Sequence, residues 1–152
     1  MADRFHEGRS AKIRLLMESR LDQVFLAGLA VRGICSYAHL TEIEGYQIEV
    51  AVVEAVNNAI KHAYRQQPGH EVEVAITLTP DRITFQVCDQ GEPMNSPISS
   101  GLDFDPRDIQ NLPEKGMGLQ IMTSVMDEVR YDTVGGRNVL TLSRSLKGLK
   151  AT

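Results

Sequence analysis

Residues 41–64 carry the pattern that most constrains the fold. Wound as a helix, with about 100° between successive residues, this stretch collects Ile48, Val52, Val53, Ala55, Val56, Ala59, Ile60 and Ala63 on one broad arc. An apolar arc of that width must be buried against a second layer, so the chain needs a partner surface for it. Thr41 and Glu44 stand at the spacing of a capping box, and Glu42 and Glu44 place negative charge in the first turn. The helix is therefore expected to begin just after Thr41 and to run to about Tyr64. Along one edge of the arc Glu54, Asn58 and His62 follow one another at i, i+4 and i+8. On a helix these are neighbours on a single stripe and can converge on one ligand. The plain alternative is that they form the wet side of an amphipathic helix.

The partner surface is legible on both sides of this helix. Lys12–Glu18 includes the apolar Ile13, Leu15, Leu16 and Met17 and reads as a short strand, and Asp22–Leu40 reads as a helix. Val72–Leu78 and Ile83–Cys88 alternate apolar and polar residues, and the short link Thr79-Pro80-Asp81-Arg82 makes them an antiparallel hairpin. Pro, Gly and Ser gather between Glu92 and Lys115, which is expected to be a long loop. Leu119–Val129 reads as a helix. Strands near Val129–Thr133 and Asn138–Ser143 are joined across Gly135-Gly136. This order predicts an α/β two-layer sandwich, with a mixed, mostly antiparallel sheet covered by helices on one face. A doubly wound parallel sheet fits it less well.

A chain of 152 residues fits one domain and can bury roughly 70% of its unfolded surface. Its core is expected between about residues 12 and 144. A net charge of −4 gives no general electrostatic reason to expect nucleic acid or an anionic membrane as partner. Cys35 and Cys88 lie in apolar surroundings without metal-ligand spacing, so two buried reduced thiols are expected. The first residues lack the apolar run of a signal peptide, and no stretch approaches the roughly 18 apolar residues of a membrane span. A cytoplasmic location is the corresponding expectation.

Two further features carry chemistry. Asp89 ends an apolar strand and precedes Gln90-Gly91, a sequence that either caps a turn or presents a carboxylate at a strand end. An ionised carboxylate only accepts hydrogen bonds, so it would take the amino group of adenine and reject the carbonyl of guanine. Gly116-Met117-Gly118 stands just before the helix expected from Leu119, where glycines let phosphates approach the free N–H groups of a helix start. An ordinary hinge is the alternative there. No G-x-x-x-x-G-K-[ST] motif and no G-x-G-x-x-G after a strand is present.

Taken in order, E54-A-V-N-N58-A-I-K-H62-A-Y, D89-Q-G91, E-K-G116-M-G118-L-Q-I-M and G136-R-N-V-L-T141-L resemble the GHKL, or Bergerat-fold, ATPase superfamily. The likeness runs from about Lys12 to Arg144. Within the superfamily the chain looks most like the small anti-sigma-factor serine/threonine kinases. The resemblance implies ATP and Mg²⁺ as cofactors. It makes Glu54 the catalytic base, Asn58 the Mg²⁺ ligand and Asp89 the adenine-binding carboxylate. Gly91, Gly116 and Gly118 become close backbone contacts with nucleotide, and Thr141 a hydroxyl that supports Asp89. Lys115 is a candidate for the γ-phosphate, and His62 fits a scaffold role better than a catalytic one. The chain departs from the pattern after Gly91, where Glu92-Pro93-Met94 replaces the second glycine of many relatives.

The implied partners are a STAS-domain anti-anti-sigma protein as phosphoacceptor and an alternative sigma factor, with a homodimer as the common assembly. Residues 92–115 would close as a lid during transfer. Three other readings compete. One is an anti-sigma module that binds ATP without chemistry. Another is the catalytic portion of a sensor histidine kinase, for which the chain lacks room for a dimerisation domain with a phosphoacceptor histidine. The last is a gyrase-, chaperone- or mismatch-repair-type ATPase, which needs a transducer domain.

Overall fold

The computed structural model describes residues 10–94 and 114–146, the side chains of 114–119 excepted. Strand β1 (Ala11–Glu18) is followed by a short 3₁₀ turn at Leu21–Gln23, helix α1 (Val24–Tyr37) and helix α2 (Glu42–Asn58). The chain then passes through a π-helical turn at Ala59–Ala63 into β2 (Glu71–Leu78) and β3 (Arg82–Asp89). Helix α3 (Glu114–Val125) precedes β4 (Glu128–Val134) and β5 (Arg137–Ser145). The sheet order is β1-β2-β3-β5-β4. Every pairing among the described residues is antiparallel, so the expected mostly antiparallel sheet is antiparallel throughout.

Local chemistry sets the element ends. Thr41 Oγ1 accepts from the Glu44 N–H at 3.1 Å, and Glu44 Oε1 accepts from the Thr41 N–H at 3.2 Å. The capping box read in the sequence is thus formed and satisfies two otherwise orphaned donors. In the β2–β3 turn, Thr79 Oγ1 accepts from the N–H of Arg82 at 3.0 Å. Gly135 and Gly136, at φ +60° and +78°, supply the two left-handed residues that a tight two-residue hairpin requires.

The two layers share one core. Val72, Val74, Ile76 and Leu78 of β2, Ile83, Phe85 and Val87 of β3, and Leu140 and Leu142 of β5 face the helices. From α2, Ile48, Ala51, Val52, Ala55 and Val56 close on them, while Val53 and Ala63 of the expected face are only half-buried. Helix α2 is the central helix, packed against both α1 and α3. Arg144 ties the layers together at one end: its guanidinium donates to the Val125 carbonyl at 3.3 Å and to Glu44 Oε2 at 3.0 Å. Cys35 and Cys88 are buried free thiols, as expected, and burial pushes the Cys35 thiol up to about 11, which keeps it protonated and unreactive. No helix among the described residues is long and apolar enough to cross a membrane.

Candidate functional site

The site lies where the carboxyl end of β3 meets the carboxyl end of α2. A cleft opens there, lined by the apolar Ala55, Ala59, Ala63, Val87, Met94 and Leu140. Its polar groups are Asn58, Asp89, Glu92 and the phenol of Tyr131. An apolar lining with a few placed polar groups suits a heteroaromatic ring.

Asp89 is the deepest of those polar groups, 8% exposed. Burial pushes its carboxyl above the ordinary value; hydrogen bonds from Asn138 and from the Gly91 N–H oppose the shift. Both bonds end on one oxygen: the Asn138 amide donates to Oδ1 at 2.7 Å and the Gly91 N–H at 2.9 Å. Oδ2 is left as the acceptor for a ligand. The turn after Asp89 is held from α2's side, because Tyr64 Oη accepts from the Gln90 N–H at 2.7 Å and donates to the Glu71 carbonyl at 2.7 Å. The ring of Tyr64 stacks on His70, with centroids 4.5 Å apart.

The π-turn explains how the helix reaches this strand end. Tyr64 N–H bonds to the Ala59 carbonyl at 3.1 Å, one residue wider than α-helical spacing, which leaves the Ala63 carbonyl to accept from the Glu92 N–H at 2.9 Å. A Cβ on Gly91 would stand 2.3 Å from the Ala63 oxygen. Gly91 is thus required by the approach of two stretches of protein backbone, a different reason from the nucleotide contact expected of it.

Of the residues singled out in the sequence, Asn58 and Asp89 line one cleft, and Gly91 closes the turn behind it. Glu54 is half-buried one helical turn before Asn58 and stands outside the cleft lining. His62 is exposed on the π-turn. Gly116 and Gly118 correct the expected helix boundary: α3 starts at Glu114, so both glycines sit inside its first turns and not in front of it. The side chain of Lys115 and residues 95–113 of the expected lid lie outside the described residues. Thr141 is a second correction. It pairs with Gln86, an odd number of residues from Asn138 along β5, and so sits on the sheet face opposite Asp89, its Oγ1 buried with no hydrogen-bond partner. The residue that supports Asp89 is Asn138, paired directly with it across β3 and β5. Register decides this point. The signal was the third residue of Gly136-Arg137-Asn138, at the turn of a hairpin whose other partner is β3.

Residues 17–144 match the family model described as a histidine kinase-like ATPase domain. The chain belongs to this family. It lies on the family's serine-protein kinase side, and its enzyme class is that of a protein serine/threonine kinase. It is 28% identical to the serine-protein kinase RsbW of Bacillus subtilis (strain 168), across 90% of this chain and 86% of that one. The corresponding kinase of Bacillus licheniformis is 31% identical, across 84% and 81%. Two solved structures share the fold. The crystal structure of the RsbU and RsbW domains of a Mycobacterium tuberculosis protein has a TM-score of 0.63 at 17% identity, over 89% of this chain and 32% of that longer one. The SiaB–SiaC complex of Pseudomonas aeruginosa has a TM-score of 0.55 at 13% identity, over 95% of each chain.

Proposed function

We propose that the protein is an ATP-dependent serine/threonine kinase of the anti-sigma-factor type, which phosphorylates a STAS-domain antagonist in a cytoplasmic partner-switching pathway. The observation that carries this reading is the joint placement of Asp89 and Asn58 in one apolar cleft, with Glu54 one turn beyond. The relatives' activity, a serine-protein kinase, supports the choice of acceptor.

The donor set fits Mg·ATP. Asp89 Oδ2 accepts from the exocyclic amino group of adenine while the alanines, Val87 and Leu140 cover the ring. No cluster of three or more His, Cys, Asp or Glu side chains suited to a metal occurs among the described residues. Mg²⁺ takes one or two protein oxygens and otherwise waters and substrate phosphates. Asn58 supplies the protein oxygen. Mg²⁺ held by Asn58 would neutralise charge on the phosphates. Gly116 and Gly118 keep the start of α3 free of bulk where its N–H groups and dipole meet the phosphate chain.

Glu54 stands one turn from Asn58, about 5–6 Å between Cβ atoms on a regular helix. There it takes the proton from the acceptor serine or threonine hydroxyl. That oxygen attacks the γ-phosphorus, the bond to the β-phosphate oxygen breaks, and ADP leaves. A sigma factor is the second partner, bound by a homodimer of the kinase.

The test uses labelled Mg·ATP and the STAS-domain protein encoded nearest to this chain. Label should appear on a serine or threonine of that partner. Glu54→Gln should keep ATP affinity within about threefold and lower transfer by at least about 100-fold. ATP binding with no transfer by the unaltered protein would reduce the function to a nucleotide-controlled binding module.

A further inference from the structure

Asn138 does more than fill the end of β5. It is 1% exposed, and its amide has three partners on two segments, the end of β3 with its following turn and β4. Nδ2 donates to Asp89 Oδ1 at 2.7 Å and to the Gly91 carbonyl at 3.0 Å, and Oδ1 lies 2.9 Å from the Thr133 hydroxyl on β4. The chemistry of these neighbours fixes the amide's orientation. Turned over, its oxygen would face a carboxylate and a carbonyl, both acceptors, and its NH₂ would be left with a single hydroxyl. The threonine hydroxyl donates to Asn138 and locks the arrangement from the exposed side of the hairpin.

We propose that Asn138, oriented by Thr133, is the positioning residue that sets the base specificity of the cleft. By occupying Oδ1 together with the Gly91 N–H, the amide keeps Asp89 an ionised acceptor and restricts it to one rotamer, with Oδ2 presented to the ligand. A base carrying a donor at that edge, adenine, is accepted. A base carrying a carbonyl there, guanine, meets lone pair against lone pair. Asn138 and Thr133 thereby act on recognition through Asp89, and neither lines the cleft itself. This inference rests on the assignment of the cleft as an adenine site.

Valine and threonine are close in shape and both suit a strand, yet only threonine keeps a donor, which makes them the informative replacements at position 138. ATP and GTP affinities are measured by titration calorimetry on the full chain. Asn138→Val should weaken ATP binding about tenfold or more and narrow the ATP-to-GTP ratio by a similar factor, since a buried carboxylate loses a charge-assisted bond. Asn138→Thr should recover at least half of the lost affinity on a logarithmic scale. Thr133→Val, at an exposed position, should narrow the ratio about two- to fivefold by leaving the amide oxygen without its donor and loosening the hold of Nδ2 on Asp89. Unchanged affinity and ratio in Thr133→Val, or equal losses in the valine and threonine variants at 138, overturn the assignment while leaving the adenine site intact. Failure of the unaltered protein to bind ATP overturns both. If Asn138→Val does not fold, Thr133→Val alone decides.

Discussion

At the scale of single residues, the site depends on contacts a sequence shows only as letters. Gly91 was singled out in an Asp-x-Gly step, and the position is indeed intolerant, but the cause is the Ala63 carbonyl against which any Cβ would collide. The two nearest atoms belong to backbone and the third is Cβ of Ala63, which has no rotamer to change, so the clash cannot be relieved by turning a side chain. Gly91→Ala should therefore lower stability by about 1–3 kcal/mol in denaturant unfolding and weaken ATP binding, because the Asp89 turn or the π-turn must move. Asp89 and Asn58, which line one cleft, stood out from motif spacing. Asn138 was not, since a residue that acts through another carries no chemistry of its own to notice, and Thr141 attracted the role until register placed it on the far face.

Whole elements were the most legible level. The capping box at Thr41 and Glu44, the central helix, and the two tight hairpins follow from local rules and are found where those rules put them. Removing the cap tests the first of these: Thr41→Ala should cost about 1 kcal/mol. Hydrogen bonding to Thr41, and secondarily the Arg144 guanidinium, hold the Glu44 carboxyl below its ordinary value of 4.5. A depressed carboxyl contributes stability that is present above pH 4.5 and is lost as pH falls through the lower folded-state value. Glu44→Gln should accordingly lose less stability than the unaltered protein when acidified, measured by thermal unfolding between about pH 6 and about pH 3. Two element boundaries escaped sequence reasoning. The π-turn at Ala59–Ala63 looks helical in periodicity, and only its docking on the Asp89 turn selects the wider hydrogen bonds. Helix α3 begins at Glu114 despite two glycines, because packing of its later turns on α2, with Met122 fully buried, offsets their poor propensity.

For the molecule as a whole, the cleft spans two layers: Asn58 comes from the helical layer, Asp89 and Leu140 from the sheet. A ligand seated there binds only the folded arrangement, so ATP should raise the unfolding free energy by about 2.7 kcal/mol at a free concentration of about 100 times its Kd. Asp89→Asn should abolish most of that gain in a thermal-shift titration, since an amide can turn its NH₂ toward the base. The sequence by itself determined the layered α/β class and the central helix, and it singled out Asn58 and Asp89 as candidates that share one cleft, because periodicity, caps and acceptor chemistry are local properties. Tertiary structure decided which face of β5 looks at Asp89, why position 91 must be glycine, and how the end of α2 unwinds to meet β3. Each of those is set by the register or approach of segments far apart in the chain, and such distances are fixed only when the two layers close on a common core.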